Sequence, residues 1–436
     1  MKKLTILLLA LSLVLSSVPA LAATDVSTLD PKDVVINVLI CTQNQNDDLA
    51  NTYFADFASK HGITVNCELA PSTGYGDLLT LGLVEDNQAY DLIMCNSNHW
   101  GSMIDGDWIM PLDSFINAEA EAKTDWYNGI MSAALNACVV NDQRWSVAYS
   151  AGVGVLMYNK AIFEKYGITD IPKNMDEVIE TAAKINDPAN KVFGLAFRGG
   201  QERGIALPWL INWLYLDGEW YPEGHDSIAI FDTDIALKAL NQLIKMYDYA
   251  PEGIQSYAYQ EAMAAMQQGY AAMFVDAVTL GVNLLDPAQT DLHDQFGFSA
   301  LDGTYSWGDG WCFSVASRTK HPEWCWELIK VATSYDTALN QIMRGKAVSC
   351  YRNDVYANDE INKVLPADLS EAVSKSAPMA SIVYWPLISQ KGEITGAMID
   401  AFYKAINKKI TPEEALAEVQ QITIEILERD GVQYKK

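Results

Sequence analysis

VVINVLIC, at residues 34–41, is an apolar run of strand length, and it opens a regular alternation of elements. The patterns that follow predict a helix at residues 50–60, a strand at 63–69, a helix at 76–86 and a strand at 91–95. This β-α-β-α-β order is typical of a parallel sheet with helices on its faces. The sequence therefore predicts an α/β fold class.

Polar loops follow each of the three predicted strands. They cover residues 42–46, 70–75 and 96–100, and they are rich in amides, hydroxyls and aromatic rings. Ligands of open α/β sheets bind beyond the carboxyl ends of the strands, where such loops meet. The opening third of the chain therefore predicts a site for a small polar ligand.

The remaining chain, from about Ser150, predicts enough elements for a second sheet. Its patterns predict strands at residues 153–158, 192–197, 271–275 and 311–316, and helices at 161–166, 175–185, 231–249, 259–268, 322–333 and from Thr411 onward. Two cores fit the length, because single cores stop growing at about 250–300 residues. No Pro/Gly/Ser-rich linker divides the chain, so short crossings should join the two parts.

Residues 1–22 are typical of a secretory signal. Lys2 and Lys3 precede an apolar run, and the segment ends in a small-residue motif that fits a signal peptidase site. No cysteine lies beside that site. The sequence therefore predicts an exported, periplasmic protein with a cleaved signal and no lipid anchor.

The chain is strongly acidic. Its 436 residues include 56 acidic and 30 basic side chains, a formal charge of −26, and loss of Lys2 and Lys3 with the signal makes this −28. Such a charge repels nucleic acid, so nucleic acid is not expected as a partner. A neutral ligand is the default expectation.

The seven cysteines predict no specific disulfide, because their number is odd and none forms a C-x-x-C pair. Cys41, Cys67 and Cys95 fall in apolar strand-like runs. Small buried core residues are the favoured interpretation for these three.

Sequence motifs for catalysis and metal binding are missing. There is no nucleophile elbow, zinc-protease motif, P-loop or complete dinucleotide fingerprint, and the five histidines lack metal-ligand spacing. The sequence therefore predicts no enzyme, no cofactor and no metal. One alternative stays open: Glu202, Asp276 and Asp309 could converge and act on a glycosidic bond as acid and base.

Several blocks of sequence, taken in order, resemble one protein family. The most specific is YNKAIFEKYG at residues 158–167, continued by IPKNMDE at 171–177. The others lie at residues 91–94 with 108–113, 261–263 with 269–276, 322–330 and 411–416. Together these blocks resemble family 1 of the bacterial extracellular solute-binding proteins, the carbohydrate-receptor branch that includes maltodextrin receptors.

The resemblance implies a type II periplasmic-binding-protein fold, with two α/β lobes, a hinge and a ligand cleft between the lobes. It implies a first lobe of residues 23–150 and 302–335 and a second lobe of residues 151–301 and 336–436. It also implies the function of an ABC importer's substrate-binding component, a monomer that delivers its ligand to the membrane permease.

Positions that match the family supply the candidate ligand contacts. Sugars combine hydroxyls with C–H faces, so their sites mix polar side chains with aromatic rings. The candidates are Gln43, Asn44, Tyr75, Asn96, Asn98, His99, Tyr149, Arg198, Glu202, Asp276, Trp307, Asp309, Trp311 and Trp385. Core packing is the alternative for the rings, and an exposed, self-paired charge cluster is the alternative for Arg198 and Glu202.

The loop at residues 42–46, TQNQN, narrows the expected ligand. It lacks the aromatic residue that many oligosaccharide receptors of this family place nearby. The resemblance therefore favours a mono- or disaccharide or a sugar alcohol. A charged solute such as a polyamine stays open as cargo, because aromatic boxes also suit cations, and so does a role as a sensor partner.

Overall fold

The computed structural model describes residues 26–71, 74–84, 89–200, 205–218, 231, 233–303, 306–381 and 386–434. The predicted signal sequence lies outside these residues. The strands are β1 (Val35–Cys41), β2 (Thr64–Ala70), β3 (Leu92–Cys95), β4 (Cys138–Val140), β5 (Gln143–Ala148), β6 (Gly152–Asn159), β7 (Met273–Ala277), β8 (Phe296–Ser299), β9 (Ser306–Asp309), β10 (Cys312–Val315) and β11 (Ala380–Ser381).

Helices account for most of the remaining regular structure. A π-helical segment, Leu49–Phe54, lies between the first helix and the second helix. They are α1 (Asn44–Asp48), α2 (Ala55–His61), α3 (Tyr75–Leu83), α4 (Ser97–Asp105), α5 (Asp113–Ala122), α6 (Asp125–Gly129), α7 (Ser132–Leu135), α8 (Lys160–Lys165), α9 (Met175–Ile185), α10 (Ala206–Tyr215), α11 (Asp234–Asp248), α12 (Tyr259–Gln267), α13 (Gly281–Leu285), α14 (Pro322–Ala332), α15 (Tyr335–Met343), α16 (Asn353–Tyr356), α17 (Ala367–Ser376), α18 (Lys391–Ile406) and α19 (Pro412–Asp430).

The first sheet has six strands in the order β2-β1-β3-β10-β5-β4. β1 runs parallel to both β2 and β3, so the predicted β-α-β-α-β order is confirmed. β10, β5 and β4 extend the sheet with antiparallel pairs. The predicted α/β class holds, with mixed rather than purely parallel pairing.

The second sheet is built around β6, whose eight residues are all buried. β6 pairs antiparallel with β7, β8 and β9, and β11 adds a short parallel pair beside β9. The prediction of a regular strand at residues 192–197 is wrong. This segment contacts the sheet only through isolated bridges, from Phe193 to Ala271 and from Ala196 to Phe274. Gly194 lies against α9, where a Cβ atom would lie 2.3 Å from a carbonyl oxygen, so the segment follows that helix.

Local signals account for several helix boundaries. α9 has the predicted bounds, and the Asn174 side chain caps it by accepting a hydrogen bond from the Glu177 N–H group (3.0 Å). At α19, Thr411 and Glu414 form a reciprocal capping box. The sequence prediction missed α10, whose residues are buried on every side and which therefore lacks an amphipathic stripe.

Two short segments lead directly from a strand of one sheet to a strand of the other: residues 149–151 lead from β5 to β6, and residues 310–311 lead from β9 to β10. They lie side by side. The Tyr149 and Ser150 N–H groups donate to the Trp311 carbonyl oxygen (2.8 and 3.2 Å), and the Trp311 N–H group donates to the Ser150 hydroxyl (2.9 Å). This paired crossing takes the place of a linker, as the sequence predicts.

The chain after α14 returns to the first sheet before it reaches the second. The Tyr149 hydroxyl donates to Gln341 of α15 (2.9 Å), and the Met131 N–H group donates to the Tyr351 carbonyl oxygen (2.9 Å). α17 then packs on β6 and β8, while α18 and α19 pack on each other. The predicted division into lobes, with a boundary after residue 335, stays a prediction.

Two surface and core properties bear on function. Among the described residues, no helix combines the length and the apolar character needed to cross a bilayer. The seven cysteines are free; six are buried and Cys67, on the edge strand β2, is half-buried.

Candidate functional site

The strand registers bring the edges of both sheets to the paired crossing. Cys312, the first residue of β10, pairs with Cys95 at the end of β3 and with Ala148 at the end of β5. In the second sheet, Gly152 begins β6 opposite Asp309 at the end of β9, and β7 ends two residues further along β6. The loops at these two edges form the candidate site.

A two-point ion pair between Arg198 and Asp276 is the main polar feature of the second sheet's edge. The Arg198 Nε and Nη2 atoms each lie 2.7 Å from an Asp276 carboxylate oxygen. The Ala277 N–H group donates a third hydrogen bond to this carboxylate (2.7 Å). Asp276 is 1% exposed, whereas the Arg198 side chain keeps 22% exposure and lies over the Tyr259 ring, 5.4 Å from its centroid.

The backbone that follows Arg198 is fixed by two tyrosines. The Tyr403 and Tyr247 hydroxyls both donate to the Gly199 carbonyl oxygen, at 2.6 and 2.9 Å. A Cβ atom on Gly199 would lie 2.5 Å from the Ile254 carbonyl oxygen, so only glycine fits there. The position of the guanidinium therefore depends on packing against α11 and α18 as well as on Asp276.

An aromatic cluster of Tyr75, His99 and Trp311 lies at the first sheet's edge. The Tyr75 ring contacts Trp311 and His99 edge-on, with centroid distances of 5.5 and 6.0 Å. Its hydroxyl donates to the Met94 and Leu39 carbonyl oxygens (2.7 and 3.3 Å), and burial raises the pKa of Tyr75 well above its usual value. Tyr75 is buried, so Trp311 and His99, which are half-buried, carry the accessible aromatic surface.

The amide residues after β3 are engaged with α4 and with α18. The Asn96 side chain caps α4 by accepting from the Asn98 N–H group (3.1 Å), and His99 Nδ1 accepts from the Asn96 N–H group (3.3 Å). Lys391 Nζ, at the start of α18, donates to the Asn98 side chain (2.8 Å) and to its carbonyl oxygen (3.2 Å). The structure thus brings three candidate residues together and adds Lys391, which the sequence did not indicate.

Tyr149, a candidate aromatic contact, lies in the core beside the paired crossing, and its role in ligand binding stays a prediction. It is 4% exposed, its hydroxyl donates to Gln341 (2.9 Å) and to the Gln45 carbonyl oxygen (3.2 Å), and burial raises its pKa. Its ring packs in the core because it faces Phe313 of β10. Gln43 is exposed at the start of α1 and makes no side-chain cap.

Five candidates are described only in part or not at all. Glu202 and Trp385 lie outside the described residues. For Asn44, Trp307 and Asp309 the structure gives the backbone alone, with Asn44 opening α1 and the other two in β9.

Sequence reasoning missed Tyr259, Lys391 and Tyr403. Tyr259 had a usable signal, because it opens a predicted helix at the second section's ligand edge. Lys391 and Tyr403 contact residues that are far away in the sequence, so no local sequence signal indicated them. In the part of the chain that the structure describes, no cluster of His, Cys, Asp and Glu could hold a metal ion.

Solved structures of solute-binding proteins share this two-sheet architecture. One, from an ABC transporter of Agrobacterium vitis with bound D-mannitol, has a TM-score of 0.73 at 21% identity and covers 91% of this chain and 99% of its own. Another, from Agrobacterium radiobacter in complex with ribitol, has a TM-score of 0.76 at 20% identity over 92% and 100%. The fold is therefore that of a periplasmic binding protein with two α/β lobes.

The sequence places the chain in a family. The family model described as "Bacterial extracellular solute-binding protein" matches residues 44–338, and the chain belongs to this family. An erythritol/L-threitol-binding protein of Mycolicibacterium smegmatis is 25% identical over 334 residues, 72% of this chain and 69% of that protein. A mannitol-binding protein of Pseudomonas aeruginosa is 23% identical over 394 residues, 84% and 83% of the two chains.

Proposed function

We propose that this protein is the substrate-binding component of an ABC importer and that it captures a sugar alcohol or another small carbohydrate. The Arg198–Asp276 pair carries this proposal. As a unit the pair has no net charge, and the Arg198 side chain keeps 22% exposure and lies over the Tyr259 ring. Donors next to an aromatic face suit a ligand with hydroxyls and C–H surfaces.

The relatives support the same ligand class. Two of the similar curated proteins are named for erythritol, L-threitol or mannitol, and two solved structures of the fold hold mannitol or ribitol. All of these ligands are neutral polyols. The aromatic cluster of Tyr75, His99 and Trp311 adds ring surface on the opposite side of the crossing.

Capture by hinge closure follows from the way the site is divided. Its polar groups come from both sheets, while the sheets are joined through the paired crossing at residues 149–151 and 310–311. A rotation about these few residues, together with the later passage of the chain between α16 and α17, would separate Arg198 from the aromatic cluster without disturbing either sheet. We infer that the protein is a periplasmic monomer and that the permease binds its closed, ligand-bound form.

The first lobe should extend further along the chain than the sequence suggests. Because α15 and Tyr351 contact elements of the first sheet, we place residues 336–356 in that lobe rather than in the second. The later helices, from α17 onward, stay with the second sheet.

Glycosidase chemistry and a cationic cargo are less compatible with this site. Glycosidases need two carboxylates flanking the bond, one of which is a general acid with a raised pKa. Asp276 is instead sequestered by Arg198 and by the Ala277 N–H group. The same pairing occupies the Asp276 carboxylate, so Asp276 is not available to a polyamine. We therefore propose a neutral ligand and a binding role without catalysis.

A thermal-shift screen tests the proposal. The mature chain should melt at higher temperature with erythritol, ribitol, mannitol or a related sugar, because a ligand at 100 times its Kd stabilises the folded state by about 2.7 kcal/mol. Putrescine, spermidine and amino acids serve as the charged comparison set. A shift with charged solutes alone, or release of sugar from oligosaccharides, would overturn the proposal.

A further inference from the structure

A glycine in α4 brings the first sheet's edge against the segment of chain that leads into α18. Gly101 is buried in the interior of α4. A Cβ atom at this position would lie 2.8 Å from the backbone nitrogen and the carbonyl carbon of Ile388, and 2.9 Å from its carbonyl oxygen. Carbon atoms in favourable contact are about 3.5–4.0 Å apart. Gly101 therefore permits an approach of two backbones that any side chain would prevent.

The contact extends along one face of α4. Asn98, Gly101 and Asp105 are three and four residues apart, so they share one face of the helix. At one end of this face, Lys391 Nζ donates to the Asn98 side chain (2.8 Å). At the other end, the Ser389 hydroxyl donates to the Asp105 carboxylate (2.6 Å). Gly101 lies between these two hydrogen bonds, where the backbones are closest.

The two sides of the contact belong to different sheets. α4 is anchored in the first core, where Trp100 and Met103 are fully buried and Trp100 Nε1 donates to Cys95 Sγ (3.3 Å). Residues 388–391 lie between β11, which pairs with β9 in the second sheet, and the body of α18, which packs on α19. Ile388 packs against the second core. Any rotation of one sheet relative to the other therefore opens or closes this contact.

Backbone hydrogen bonds restrain both sides of the close approach. Gly101 is held within the helix, and the Ile388 carbonyl oxygen accepts from the Lys391 N–H group (3.3 Å) at the start of α18. Because the nearest atoms belong to backbone, they cannot move aside as the end of a flexible side chain can. Ala at position 101 would have to separate the segments by about 0.7 Å, the difference between 2.8 Å and about 3.5 Å.

We propose that Gly101 determines the size of the ligand that the cleft accepts, because it sets how closely the two sheets approach in the closed form. This inference rests on the proposed function. Asn98 and His99, two of the candidate ligand contacts, lie in the first turn of α4, so the width of the cleft follows the position of this helix. A close approach suits a short polyol. A side chain at position 101 would leave a wider cleft, which a disaccharide could span and a short polyol could not.

Two variants of graded size test the proposal, Gly101→Ala and Gly101→Leu. Erythritol affinity should fall about tenfold in the first variant and about 100-fold in the second, because a short ligand no longer contacts both edges of the cleft. Maltose affinity should fall less. Calorimetric titration of the full mature chain with erythritol, mannitol and maltose measures the Kd values. The ratio of the erythritol Kd to the maltose Kd should rise from wild type to Ala and again to Leu.

Binding kinetics and ligand-free stability separate this role from a folding defect. The ligand first meets the open form, so the association rate constant of Gly101→Ala should stay the same and its dissociation rate constant should rise about tenfold. Stopped-flow tryptophan fluorescence follows both rates, since Trp311 lies half-buried in the aromatic cluster. Without ligand the contact can open and Ala favours the helix, so the melting temperature should equal or exceed that of wild type.

Gly392→Ala and Gly392→Leu are the matched controls. Gly392 is exposed in the first turn of α18, beside the contact, and a Cβ atom there would meet nothing within 4 Å. Both controls should keep the wild-type Kd values. Ser389→Ala provides a second variant at an exposed position, where a folding defect is not expected. It removes the hydrogen bond to Asp105 and should raise the dissociation rate constant about threefold.

The possible results distinguish this inference from the proposed function. Absence of binding to all three ligands by the wild-type protein would overturn both. Binding by wild type with unchanged Kd values in Gly101→Ala, or with the same change for all three ligands, would overturn the role of Gly101 and leave the proposed function in place. A fall in ligand-free melting temperature that accounts for the lost affinity would also overturn it, because Gly101 would then serve packing alone.

Discussion

Asp276 and Arg198 meet through two hydrogen bonds of 2.7 Å although they lie 78 residues apart. Asp276 is almost fully buried and the Arg198 side chain is partly exposed, so the buried carboxylate positions the guanidinium. Buried carboxylates are costly unless they are paired and hydrogen-bonded. The pair therefore links the stability of the second sheet's edge to its ability to bind a solute.

Replacing Asp276 by Asn should impair both properties. Without the carboxylate the guanidinium loses its orientation, and we expect a loss of unfolding free energy of about 3 kcal/mol. Polyol affinity should fall about 100-fold, equivalent to roughly 2.7 kcal/mol. Urea unfolding and calorimetric titration measure the two effects. Glu360→Gln, at an exposed ion pair with Lys363, is the control for loss of a carboxylate and should change little. Unchanged polyol affinity in Asp276→Asn would remove Arg198 from the site.

Lys391 should influence the balance between open and closed forms. Its amine donates to Asn98, which belongs to the first sheet's edge, while the rest of α18 packs with α19 and α11. Lys391→Met should therefore favour the open form, raise the ligand-free radius of gyration and weaken binding by about three- to tenfold, because fewer molecules are competent to bind. Small-angle scattering and titration measure these changes.

Lys404→Met is the control for Lys391, because it removes the same side chain from the same helix. Lys404 pairs with Glu418 of α19 and does not contact the first sheet's edge. It should leave both the radius and the affinity unchanged. Equal behaviour of the two variants would show that the Lys391 contact does not hold the closed form.

Local patterns predicted the parts of this fold that depend on neighbours in sequence. The bounds of α9 and the Thr411 cap follow from periodicity and capping residues alone. The Lys391–Asn98 contact spans 293 residues and leaves no local trace. Tyr149 is a second example of a feature that local sequence patterns cannot predict. It lies at the paired crossing, and its burial depends on Gln341 and on Phe313 of β10, neither of which is near Tyr149 in the sequence.

Gly310 should be essential to the paired crossing. A Cβ atom at this position would lie 2.5 Å from the Ser150 carbonyl oxygen, which is too close for any other residue. Gly310→Ala should therefore force the two segments apart, lower the melting temperature and weaken ligand binding. Gly396→Ala is the control, because its Cβ would meet nothing within 4 Å in helix α18, where Ala is favoured over Gly by about 1 kcal/mol. Wild-type behaviour of Gly310→Ala would show that the crossing tolerates separation.

The cysteines should remain thiols in the native protein. Burial raises the pKa of Cys41 and of Cys350 to about 12, so neither forms a reactive thiolate near neutral pH. We expect seven thiols after denaturation without reductant and slow labelling of the native protein. A disulfide between Cys95 and Cys312, which are paired residues of β3 and β10, would contradict this prediction. Mass spectrometry of the unreduced protein would detect it.

Glu119 should make stability depend on acid pH. This residue is 2% exposed and accepts from Lys330 (2.8 Å) and Trp326 (3.2 Å). Burial raises the pKa of Glu119, but hydrogen bonds from Lys330, Thr124 and Trp326 outweigh burial and hold the pKa below its usual value.

A carboxyl group with a lowered native pKa stabilises the fold above its unfolded pKa, and this contribution is lost as the pH falls through the native pKa. Glu119→Gln should therefore lower the unfolding free energy by about 2 kcal/mol at neutral pH. The difference from wild type should shrink as the pH falls below about 4.3, the unfolded value for Glu. Urea unfolding between pH 3 and pH 7, a range that spans the unfolded pKa, measures this trend. Glu371→Gln, which removes a carboxylate from an exposed ion pair with Lys375, is the control. A difference that stays constant across this range would show that the Glu119 charge contributes nothing and that only its packing matters.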